Sequence, residues 1–134
     1  MTTVTYDHSA WASARPWTLA HRPEAAGQAR TIARTLLNGW GVAGEVADSV
    51  VLTVSELVGN AVRHAQPPLR LGLDCDPATG HVYVEVSDGG PSLDRAAPVA
   101  DDEHGRGLAI VDQVAADHGE HQEAGHAVHW ADIA

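Results

Sequence analysis

The sequence predicts an α+β fold, a two-layer sandwich with helices on one face of a mostly antiparallel sheet. Two long stretches in the first half carry apolar residues at helical spacing. Two strand-like stretches follow, with period-two alternation and strong turn chemistry between them. The order of elements is helices, hairpin, helix and hairpin, which suits helices gathered on one side of an antiparallel sheet. At 134 residues the chain fits one domain, large enough for a real core and a single site.

Residues 1 to 16 show no sustained period and are expected to form an N-terminal arm, with one domain from 17 to 134. From Pro23, the residues Ala25, Ala26, Ala29, Ile32, Ala33, Leu36 and Leu37 recur at helical spacing, and Asn38-Gly39 offers a stop signal. A second helix is expected from about Glu45 to Ala65, ended by Pro67-Pro68. Val50, Val51, Val54, Val58, Ala61 and Val62 lie on one side, and Glu56, Asn60 and Arg63 on the other.

Leu69 to Cys75 and His81 to Asp88 alternate as strands, and Asp76-Pro77-Ala78-Thr79-Gly80 joins them as a turn. Pro91 to His104 has no period and reads as a flexible loop, a candidate lid. A third helix is expected after Gly107, with Gly119 beyond its last turn. Glu120 to Ile133, broken at Ala124-Gly125, suits a closing hairpin.

Composition narrows the chemistry. The net charge is -10, with eight Arg and no Lys, which argues against a nucleic-acid partner, since that affinity draws on clustered cations. Without lysine, a nucleotide's phosphates would have to be met by Mg2+, backbone N–H groups and arginine. Cys75 is the single cysteine and alternates with apolar residues as a core thiol, which suits a reducing interior. Met1 to Ala14 lacks the charge and apolar pattern of a leader, and no stretch approaches a membrane span, so the chain is expected to be cytoplasmic.

Glu56 and Asn60 are four residues apart and share one stripe of their helix, where a carboxylate could take a proton and an amide oxygen could meet a hard cation. Alone, the pair reads first as a solvated Glu beside a helical Asn. Counting by twos from Val82 turns Asp88 toward the core, where a carboxylate needs a donor. An adenine amine would supply one, and Gly89-Gly90 would let a flat ring approach; an ordinary Asp-Gly-Gly-Pro turn is the alternative. Gly105-Arg106-Gly107 opens a helix, so free N–H groups and a positive helix end would face a phosphate. The nine histidines, among them His118, His121, His126 and His129, read as scattered surface imidazoles rather than a metal site.

The run Ser55 to His64 (SELVGNAVRH), Asp88-Gly89-Gly90-Pro91 and Gly105 to Val111 (GRGLAIV), in that order, resembles the histidine-kinase-like ATPase (GHKL) superfamily. Within it the match is to the anti-sigma-factor serine-kinase branch, over residues 17 to 134. The resemblance implies a Bergerat fold with ATP between helices and sheet under a lid. It implies Glu56 as catalytic carboxylate, Asn60 as Mg2+ ligand, and Asp88 with Gly90 as the adenine readers. The same ATP site would take in Arg63, His64, Gly105, Arg106, Gly107 and Leu108.

Kinases of this branch phosphorylate a serine on a small anti-anti-sigma partner with a STAS-like fold and sequester a sigma factor, usually as homodimers. Where many relatives carry Gly-Lys-Thr-Val-Trp, this chain has Gly125-His126-Ala127-Val128-His129, with Trp130 one place later. The threonine hydroxyl that helps hold adenine through water is replaced by the methyl of Ala127. The resemblance therefore implies either an ATP-dependent serine/threonine kinase or a nucleotide-gated binding module with little transfer activity.

Overall fold

The structure, a computed structural model, describes residues 16–91, 111, 113–123 and 125–134. Among the described residues the elements are β1 (Trp17–Leu19), α1 (Ala25–Trp40), α2 (Gly44–His64), β2 (Leu69–Cys75), β3 (Val82–Asp88), β4 (Asp117–Glu123) and β5 (His126–Ile133). The strands form one sheet in the order β1-β2-β3-β5-β4, with every pairing antiparallel. Both helices pack on the same face of it, so the expected sandwich is the observed one.

Helix α1 buries Ala25, Ala29, Ala33 and Leu37, a stripe repeating every four residues and mostly small. It runs through Asn38-Gly39 to Trp40 and is capped by Gly41, which takes the left-handed conformation and returns its N–H to the Asn38 and Leu37 carbonyls. Helix α2 buries Val50, Thr53, Val54, Leu57, Val58 and Ala61. Glu45 in its first turn and Arg63 and His64 in its last complement the helix dipole. The two helices pack together above β2 and β3, where Leu69, Leu71, Val82, Val84 and Val86 are fully buried.

The β2–β3 hairpin has the expected turn: the Gly80 N–H reaches the Asp76 carbonyl at 2.7 Å. Cys75, at the end of β2, is a partly buried free thiol against the core. The closing hairpin is longer than expected. Helix is present at Val111, Gln113 and Val114, but Gly119 is no helix stop: it lies within β4, opposite Trp130. A Cβ at Gly119 would come within 3.1 Å of the Trp130 indole, which packs in turn on Tyr83 with ring centroids 5.9 Å apart. That pair lies on the sheet face away from the helices.

Candidate functional site

The last residue of β3 places the site. Val82, Val84, Val86 and Asp88 share the face turned toward α2, and Asp88 is only 2% exposed. Its Oδ1 accepts the Gly90 N–H at 2.7 Å, so the chain folds back at once, with Gly90 at φ +96°, a conformation L side chains avoid. The turn then ties itself to the exit of α2. The Gly89 N–H donates to the Gln66 carbonyl at 2.6 Å, the Gln66 N–H donates to the Gly90 carbonyl at 2.9 Å, and Ala65 bridges Pro91.

A Cβ on Gly89 would collide with the Pro67 carbonyl and lie 2.9 Å from that of Gln66. Gly89 is therefore required by the protein's own backbone rather than by a flat ligand. His21 secures the same corner, its Nε2–H reaching the Ala65 carbonyl at 2.7 Å and lying 3.2 Å from that of Ala61.

Between this corner and the sheet lies a cavity of about 220 Å³. Leu57, Asn60, Ala61, His64 and Ala65 of α2 form one wall. Asp88, Gly90, Pro91, Ala127 and His129, with Glu120 and Gln122 of β4, form the other. Pockets for whole small molecules commonly span ~300–1,000 Å³, so this space suits a flat base better than an entire nucleotide.

Of the residues expected from the sequence, Asn60, His64, Asp88 and Gly90 meet here. Glu56 is half-buried one turn before Asn60 and outside the cavity wall. Arg63 is exposed and outside it too, with Nη2 donating to Asn60 Oδ1 at 2.8 Å. Gly105, Arg106, Gly107 and Leu108 lie outside the described residues, as does the expected lid from 92 to 104.

Two ionisable residues of this wall carry no role in the sequence reading. His129, far from being a surface imidazole, is part-buried with Nε2 3.4 Å from Asp88 Oδ2 and Nδ1 3.3 Å from Glu120 Oε1. The register explains the contacts. Ala127 sits directly across from Asp88, His129 is the next residue on that face, and Glu120 pairs with His129 across β5 and β4. The hydrogen bond to Asp88 raises the imidazole pKa above its usual 6.5, burial opposes, and Glu120 adds to the rise. Counting by twos back from Ala131 would have placed His129 on the core face.

A family model for the histidine kinase-like ATPase domain matches residues 19–129. The chain belongs to this family. A search of the curated proteins finds no match. As a histidine kinase-like ATPase domain, the chain is an ATP-binding, kinase-like regulatory domain, and Mg2+ is the metal such a site implies.

One side chain on this wall has the oxygen chemistry that ion takes. Mg2+ takes one or two protein oxygens and completes its shell with water and phosphate. Asn60 offers a hard amide oxygen on the cavity wall, which accepts from Arg63 Nη2 at 2.8 Å and would have to exchange that donor for the ion. Among the described residues no helix is long and apolar enough to cross a membrane.

Proposed function

We propose that this ATPase domain is a serine/threonine protein kinase of the anti-sigma type. It would phosphorylate a small STAS-like anti-anti-sigma partner and control a sigma factor by partner switching, acting as a homodimer in the cytoplasm. The observation that carries the nucleotide half of this reading is Asp88, a carboxylate 2% exposed at the floor of a base-sized cavity facing α2. A buried carboxylate facing the cavity suits an exocyclic amine, and the apolar sides of Leu57 and Ala61 suit the faces of a purine.

In the transfer step, Glu56 takes the proton of the partner's seryl hydroxyl as its oxygen bonds to the γ-phosphorus. The bond to the bridging oxygen breaks, and ADP leaves with that electron pair. Asn60 would hold Mg2+, which when bound neutralises charge developing on the phosphates. Arg63, beside Asn60, and Arg106, between Gly105 and Gly107, are the cations assigned to the phosphates in a chain without lysine. Leu108 and His64 complete the proposed ATP-binding set.

Asp88→Asn, which keeps the shape and the Gly90 contact, should abolish Mg-ATP binding in calorimetry while the thermal melt stays cooperative; unchanged affinity would overturn the base assignment. Glu56→Ala should bind Mg-ATP normally yet fail to transfer γ-phosphate label to an anti-anti-sigma protein, and undiminished transfer excludes it as the base. The second reading, a nucleotide-gated binding module, is favoured by Ala127 opposite Asp88. It predicts ATP-dependent complex formation with no label transferred.

A further inference from the structure

Resting on the nucleotide reading above, we propose that His129 is the chain's own occupant of the base-reading carboxylate, a positioning residue that must give up Asp88 Oδ2 when a purine base enters. The two carboxylate oxygens are not equivalent. Oδ1 is held from below by the Gly90 N–H at 2.7 Å, inside the turn that anchors the corner. Among the described residues no backbone donor reaches Oδ2, and it is the oxygen that His129 Nε2 faces at 3.4 Å. His129 and Asp88 both belong to the cavity wall, so a base amine directed at Asp88 arrives where the imidazole stands.

The imidazole has somewhere to go. Its Nδ1 lies 3.3 Å from Glu120 Oε1, and the Glu120 side chain is 59% exposed. Ala127, across from Asp88, has only a methyl group and leaves room on that side. A ring released from Asp88 can therefore keep its second acidic partner.

Among the described residues, the ionisable groups that share the cavity wall with His129 are Asp88 from β3, Glu120 from β4 and His64 from α2. The carboxylates favour the protonated ring, Asp88 through the stronger contribution. Replacing Asp88's imidazolium by a neutral base amine removes that contribution, so the ring sheds a proton as the base enters. Binding then weakens on acidification through the window above 6.5 in which the empty protein holds the proton. The limit for one proton is about tenfold in affinity per pH unit.

The test uses the full chain with Mg-ATP, titrated calorimetrically between about pH 5.5 and 8.5 in buffers of different ionisation enthalpy. Wild type should release a proton on binding and lose affinity several-fold per pH unit toward acid. His129→Gln should show only the residual slope of the nucleotide's own phosphates. Glu120→Gln, a milder change, should move the window toward acid without removing it. Nitrogen NMR of the imidazole supplies a readout independent of turnover: Mg-ADP should lower the pKa of His129. An unchanged His129 pKa, or full proton release in His129→Gln, overturns the inference while leaving the nucleotide reading intact. No Mg-ATP binding by wild type even at the alkaline end of this range overturns both.

Discussion

Residue 127 shows how much one side chain can shift at a site of this size. Its Cα partner is Asp88, and its methyl group is 5% exposed on the cavity wall. A hydroxyl there would offer a donor to the carboxylate or to a bridging water, at the very position where the resembled kinases carry threonine. Ala127→Thr is expected to raise Mg-ATP affinity about fivefold, the worth of one added hydrogen bond of ~1 kcal/mol, with calorimetry as the measurement. Threonine is at home in a strand, so the fold should tolerate it.

Asp88 itself was legible, because counting by twos along an alternating strand fixes its side. His129 was not, because a histidine in a short polar hairpin gives no sign of its partners until the register of β5 against β3 is known. The role of Gly89 was likewise hidden: the collision it avoids is with Pro67, 22 positions earlier in the chain and far from it in sequence.

At the scale of elements, the corner between α2 and β3 matters most. Gly89 and Gly90 exchange backbone hydrogen bonds with Gln66, and Gln66 Nε2 also donates to the Pro91 carbonyl at 2.9 Å. A methyl group at Gly89 must push this stitch apart. Gly89→Ala is expected to cost about 1–3 kcal/mol in urea unfolding and to weaken Mg-ATP binding with it, because Asp88 shifts with the turn. Preserved stability would show that the corner relaxes freely.

The long helices and the β2–β3 hairpin were readable from periodicity, with Leu69–Cys75 read to the residue. β1 is three residues long, too short to show any period. β4 has the sequence DHGEHQE, with no apolar alternation, because it is an edge strand whose side chains face the cavity and solvent. Gly119 mimicked a helix stop because the same small residue serves a strand crossing beneath Trp130.

Taken as a whole, the molecule ties its stability to the same imidazole as its ligand. In the empty protein the His129 pKa is raised by Asp88, with Glu120 adding, above its ordinary 6.5. A raised basic group contributes stability that is complete below 6.5 and is lost as pH climbs through the folded value. The thermal midpoint of the ligand-free chain should therefore fall across that interval relative to His129→Gln, while nucleotide affinity rises; a difference between the two proteins that does not vary with pH would refute this. Membership in the ATPase family was legible because the Glu56–Asn60 and Asp88–Gly90 spacings occur together in one order, and the structure brings Asn60, Asp88 and Gly90 to one cavity.

Among the described residues β4 hydrogen-bonds a neighbour along only one side. Fraying of such a border ribbon is the least costly local opening open to the sheet. It would carry Glu120 and Gln122 off the cavity rim while the β3 floor stayed ordered, so deuterium uptake at Asp117–Glu123 should outpace uptake at Val82–Asp88 and slow selectively once a nucleotide bridges the two.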